Sequence, residues 1–158
     1  MLKMVDYKKQ GKRNRAAGAR FEKKVREDLE KKGWIVSRWC NNVECIKYNK
    51  ESCKDPEDWG ELKLIPAKHQ YRGPGIPMSI GTGFPDFVCF RQHREPYYLD
   101  NNYGYLYGVI GVECKTNGYL SKEEKEKCKW LLENNVFSKI LIAKKGKKRG
   151  EIVYTEFK

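Results

Sequence analysis

Two spacings of apolar residues divide the chain. Gly18, Phe21, Val25 and Leu29 recur at three- and four-residue intervals until Gly33, which predicts a helix with one apolar face and a glycine stop. Residues 34–39 then alternate apolar and polar and read as a first strand. From 40 to 84, Gly, Pro, Asn and Lys occur with little periodicity, predicting a long, mostly irregular insertion. The run 86–90 is short and apolar, opened by Pro85, a residue suited to the first position of a strand. A longer strand is expected over 106–114, leaving a turn at 101–104. Ser121 with Glu124 has capping-box spacing at the head of a helix reaching about Asn134. Strands over 139–143 and 151–155 follow, around a basic turn at 146–150. This order predicts one α/β domain over 1–158: a mixed central sheet flanked by helices, with a long insertion after the first strand.

Charge narrows the partners. The 158 residues carry 33 Lys and Arg against 21 Asp and Glu, a formal net charge of +12. An excess of that size points to a polyanion, because each neutralised phosphate releases a counterion. Up to about residue 16 the chain is a basic arm opposed only by Asp6. Lys12, Arg13, Arg15, Arg20, Arg38 and the 144–149 turn are the candidate phosphate contacts, with Lys68, Tyr71 and Arg72 of the insertion. No apolar run approaches the ~20 residues that span a bilayer. The basic N-terminus has no apolar stretch behind it, so an intracellular, cytoplasmic protein with no membrane partner is expected. Cys40, Cys45 and Cys53, with His69 downstream, leave three readings open: free thiols, a Cys45–Cys53 disulfide, or a metal clip.

The chemistry-bearing constellation is Pro85-Asp86 followed by Glu113-Cys114-Lys115. Phosphodiester hydrolysis calls for a cation on the phosphoryl oxygens and an activated water, and hard cations take carboxylates, carbonyls and water. In an extended segment Glu113 and Lys115 share one face, with Val112 and Cys114 on the other. Pairing of the two strands would set Asp86 beside Glu113. The E-x-K pattern alone is uninformative, since six such triplets occur. Only the one at Glu113 ends a long apolar strand and follows the chain's single Pro-Asp. Glu22 adds weight: on a helical wheel it falls among Val25 and Leu29, where an unpaired carboxylate is costly.

Together, Glu22, Pro85-Asp86 and Glu113-x-Lys115 resemble the PD-(D/E)XK, or restriction-endonuclease-like, nuclease superfamily, and within it the archaeal Holliday junction resolvases. The likeness covers about residues 16–38 and 84–157. It implies a restriction-endonuclease-like fold and a magnesium-dependent endonuclease acting on DNA, with manganese able to substitute. It implies that Asp86, Glu113 and the Cys114 carbonyl hold the metal, that Lys115 serves the attacking water or the transition state, and that Glu22 assists. Lys127 or Glu124 would be the polar residue of the second helix near the site, Lys127 the better electrostatic choice. A junction resolvase would also be a homodimer with two-fold symmetry. The chain departs from those resolvases in the 40–84 segment and in Trp39-Cys40-Asn41, where they carry a small serine-glycine loop. The substrate class therefore does not follow from the likeness. The rival expectations are a non-catalytic nucleic-acid-binding module on the same fold and a zinc-binding adaptor built on Cys40, Cys45, Cys53 and His69.

Overall fold

The computed structural model describes residues 7–45, 61–70, 79–80, 83–99 and 102–158. The first helix, α1, spans Tyr7–Lys31, so most of the basic arm is helical and not a separate tail. Lys, Arg, Gln and Ala dominate those turns and all favour helix. They lack an apolar stripe, which is why periodicity gave no sign of them. Burial begins only at Phe21 and continues through Val25 and Leu29. At the far end Gly33 adopts φ +81°. Its N–H bonds the Glu30 carbonyl at 3.0 Å and Trp34 N–H bonds the Leu29 carbonyl at 3.1 Å, a Schellman stop that only glycine adopts without strain.

After α1 come β1 (Ile35–Arg38), β2 (Asn41–Cys45), β3 (Leu62–Pro66), β4 (His69–Gln70), β5 (Ser79–Ile80), β6 (Phe87–Leu99), β7 (Asn102–Cys114), α2 (Lys122–Glu133), β8 (Lys139–Lys145) and β9 (Ile152–Glu156). The main sheet is mixed, ordered β1-β6-β7-β8-β9, with β7 and β8 parallel and the other neighbours antiparallel. The expectation of an irregular insertion is corrected: among the described residues β2 pairs with β3, and β4 with β5, both off the main sheet. Strands of two to five residues are too short to register as a period. The β6–β7 pair is also longer than expected, with Asn102–Gly104 already in β7.

The two faces of the sheet are covered separately. Phe21, Val25 and Leu29 of α1 pack on Val36, Phe87, Cys89, Ile110 and Val112. On the other side Cys128 and Leu131 of α2 join Val43, Phe84, Phe137, Ile140 and Ile142. Val43 brings the insertion into that core. Full burial of each such aliphatic side chain contributes roughly 1.5–3 kcal/mol. The α2 head has the predicted capping box: the Ser121 hydroxyl accepts from Glu124 N–H, and the Glu124 carboxylate from Ser121 N–H.

Candidate active site

Strand register creates the site. Phe87 of β6 lies opposite Val112 of β7, so Asp86 and Glu113 follow as the next residues across the pair. Two crossed hydrogen bonds lock them: Asp86 N–H donates to Glu113 Oε2 at 3.1 Å, and Cys114 N–H donates to Asp86 Oδ2 at 2.8 Å. The alternation of β7 is the expected one. Val112 belongs to the α1-side core, with Cys114 against it. Pro85 enters this arrangement over Gly111, where a Cβ would stand 2.8 Å from the proline Cγ. A side chain there would push on the residue that leads into Asp86.

Lys115 reaches back to both neighbours. Its Nζ lies 3.2 Å from Glu113 Oε1 and 2.5 Å from Glu124 Oε1. Glu124 therefore serves twice, since its Oε2 accepts from Ser121 N–H at 2.8 Å. The capping spacing was visible in the sequence; its second partner depends on how α2 docks. Lys127 is buried, ion-paired with Glu123 at 2.6 Å and set 5.9 Å from the Phe84 ring centroid. It thus forms part of the wall of the site.

These groups open into one cleft of about 390 Å³, lined among others by Glu22, Asp86, Glu113, Lys115, Glu124 and Lys127. Glu22, the charged residue on the apolar stripe of α1, lines this cleft. Its side chain is 26% exposed and accepts from Arg38 Nη2 at 3.3 Å. A modest rotation of α1 sets Glu22 at the rim, with Phe21 and Val25 taking the buried stripe. Arg38 is correspondingly engaged at the cleft mouth. Lys12, Arg13, Arg15 and Arg20 stand away from the cleft, exposed along α1. Lys68 pairs with Glu44 at 2.8 Å; Tyr71, Arg72, Cys53 and the side chains of Cys45 and His69 lie outside the described residues, and Cys40 is a free, exposed thiol.

Electrostatics in the cleft are strained. Burial, then the Asp86 carboxylate, pushes Glu113 from its ordinary 4.5 up to about 8, against the pull of Lys115. Asp86 also rises, chiefly through burial and then through Glu22, although the Cys114 N–H opposes this. Burial pulls Lys115 down, but Glu124 and Glu113 outweigh it and raise its proton affinity. Burial likewise pushes Glu124 up, yet its bonds to Lys115 and Ser121 leave it below the usual range.

The donor set suits a hard cation. Asp86 and Glu113 line the cleft with Cys114 between Glu113 and Lys115, and the two carboxylates with the Cys114 carbonyl would make an all-oxygen group. Among the described residues no group of three or more Asp, Glu, His or Cys side chains could hold an ion by itself. The protein's share would therefore be two carboxylates and a carbonyl, leaving positions for water and phosphate as magnesium prefers. A comparison with protein-family models, with characterised proteins and with solved structures found no match for this chain.

Proposed function

We propose that the chain is a divalent-cation-dependent nuclease that hydrolyses phosphodiester bonds in DNA at the Asp86–Glu113–Lys115 cleft, on a restriction-endonuclease-like fold. One observation carries the reading: a negative cleft in a positive protein. The cleft is lined by the carboxyl groups of Glu22, Asp86, Glu113, Glu123 and Glu124 and by the ammoniums of Lys115 and Lys127, five against two, a formal −3 that falls to −2 while Glu113 keeps its proton. The whole chain is +12. A phosphate backbone drawn to the exterior meets repulsion at the cleft unless a cation stands between them. Two opposed carboxylates on rigid strand ends supply the seat for one.

Bound there, a magnesium ion would neutralise phosphoryl oxygens and acidify a water. Asp86 and Glu113 are the side chains that would hold it, with the Cys114 carbonyl. Lys115, fixed by Glu113 and Glu124, sets an ammonium beside the reacting phosphate, where it orients the attacking water or offsets charge developing in the transition state. Glu22 shapes the field on Asp86 and is balanced by Arg38. The exposed helix from Tyr7 to Arg20 extends ~21 Å at 1.5 Å per residue, with basic side chains and no carboxylate. It supplies affinity without chemistry. Cleavage of a junction would require two such sites, hence a two-fold dimer.

The deciding experiment incubates the protein with labelled junction, flap, duplex and single-stranded DNA and with RNA, with magnesium, with manganese and with chelator. Metal-dependent cuts in at least one substrate are expected. Binding without cutting in any metal would instead establish the non-catalytic module.

A further inference from the structure

A second cavity, about 440 Å³, lies where the β8–β9 turn meets α1. Its walls include Lys24, Lys145, Lys147, Lys148 and Arg149, with Glu151 the one carboxylate among its lining residues. That carboxylate is already committed: Glu151 Oε2 accepts from Lys148 N–H at 3.0 Å. Gly146 permits this fold-back, because a Cβ there would stand 2.2 Å from Glu151 Oε2. The turn thus holds its acid against its own backbone, leaving five cations against one carboxylate around the cavity.

Several cations elsewhere in the domain are matched by a carboxylate. Arg26 pairs with Glu30, Lys32 with Asp28, Lys129 with Glu126 and Lys127 with Glu123. None of the five cavity cations has an ion-pair partner among the described residues. Like charges gathered round one hollow repel each other, an arrangement that costs stability and is relieved by a bound anion. The cavity falls within the ~300–1,000 Å³ range of ligand pockets. The backbone offers little, since Gly146 N–H bonds the Glu151 carbonyl. Recognition would come from side-chain charge, which favours a phosphate over a neutral ligand.

The cavity is also placed to act with the cleft. Cys114 at the end of β7 is in register with Ala143 of β8, and Lys145 of β8 with Ile152 of β9. The turn is therefore offset sideways from the Glu113–Lys115 strand end by one to two strand spacings, roughly 5–10 Å, and lies further along the strands on the α1 side of the sheet. Helix α1 is a common wall, offering Glu22 to the cleft and Phe21 with Lys24 to the cavity. We infer that the β8–β9 cavity is a phosphate-binding pocket that grips the nucleic-acid backbone beside the scissile bond. This deepens the nuclease reading and rests on it for the ligand's identity.

The test uses the full chain in chelator, so that binding is read without cleavage. Fluorescence anisotropy follows three single-stranded oligonucleotides: one with a 5′-phosphate, one with a 5′-hydroxyl, and one circular. The variants are the turn triple Lys147→Ala, Lys148→Ala, Arg149→Ala and a charge-matched control, Lys63→Ala, Lys122→Ala, Lys125→Ala, all at exposed positions. The turn triple is expected to weaken binding at least about tenfold and to flatten the salt dependence by ~0.7 in log K per log salt for each phosphate that is no longer neutralised. The control is expected to change affinity far less. A loss confined to the 5′-phosphate form assigns a terminal phosphate; an equal loss on the circle assigns internal phosphodiesters. Equal losses in triple and control overturn the pocket. Should the wild-type chain bind no oligonucleotide, titration with inorganic pyrophosphate separates the two claims. Pyrophosphate binding abolished by the turn triple keeps an anion pocket and overturns the nucleic-acid reading, whereas no binding overturns both.

Discussion

Replacing Glu113 with glutamine should make the metal-free protein more stable at alkaline pH and less stable at acid pH. Glu113 rises from 4.5 to about 8 in the folded chain because it is buried and faces Asp86. A raised acid contributes stability that is complete below its unfolded value and has gone once the pH passes its folded value. The window here runs from about 4.5 to about 8, where the folded state holds a proton that the unfolded state has released. Stability should therefore fall with pH at up to ~1.4 kcal/mol per pH unit, on the order of 4–5 kcal/mol in all. The gain on substitution is smaller. The glutamine amide has one acceptor oxygen and cannot keep both contacts of the carboxyl, Lys115 Nζ at 3.2 Å and Asp86 N–H at 3.1 Å, a loss of about 1.5–3 kcal/mol. A net advantage for Glu113→Gln of about 2 kcal/mol near pH 8 and a deficit of similar size near pH 5 is the expected crossing. Urea unfolding of both proteins across that range, in chelator, measures it, and their difference cancels every other titrating group. Excess magnesium should stabilise wild type at the alkaline end and leave the variant nearly unchanged. A stability difference that stays flat with pH would refute the strained pair.

Asp86→Asn and Lys115→Ala should each lower single-turnover cleavage by at least about 10²–10³-fold, with DNA affinity in calcium changed less than about twofold; near wild-type cleavage by Lys115→Ala would remove it from the mechanism. Gly111→Ala should cost about 1–3 kcal/mol in urea unfolding and slow cleavage as well, because the new methyl meets Pro85 Cγ at 2.8 Å; a variant of unchanged stability and activity would show that Pro85 is not held by that approach. Changing Lys12, Arg13, Arg15 and Arg20 together to alanine should leave the cleavage rate at saturation unchanged, raise KM, and reduce the salt slope on duplex DNA by ~0.9 for each phosphate left without its cation; an unaltered slope in a binding titration would release the arm from substrate contact.

The core elements were legible because their residues obey one period. Phe21, Val25 and Leu29, and the alternation of Ile110 and Val112 against Val109 and Gly111, each report a buried face directly. The convergence of Glu113 and Lys115 followed from the same period-two rule. Tyr7–Arg20 hid in the opposite way, being helical through propensity alone with no buried stripe to announce it. The ladders of β2 with β3 hid through brevity, although Leu62 and Leu64 alternate correctly. Glu22 shows the limit of a wheel. A fraction of a turn separates the core from the cleft rim, and that fraction is set by how Phe21 and Val25 seat on the sheet.

Lys115 shows what spacing cannot reveal. Read along the strand, it belongs with Glu113, and an E-x-K triplet looks like a simple ion pair. In space it stands between two carboxylates from different elements, and the second, Glu124, is oriented by the head of α2. One carboxylate so anchored holds the ammonium in place whether or not Glu113 keeps its proton. Were a cation to draw Glu113 away, as the proposed function requires, Lys115 would still have Glu124 to fix its position and its charge. A lysine tied to Glu113 alone would be released when that residue turned to the metal. In the proposed hydrolysis, Ser121, which would touch neither metal nor phosphate, would thus fix the ammonium beside the phosphate by aiming Glu124 through a helix cap.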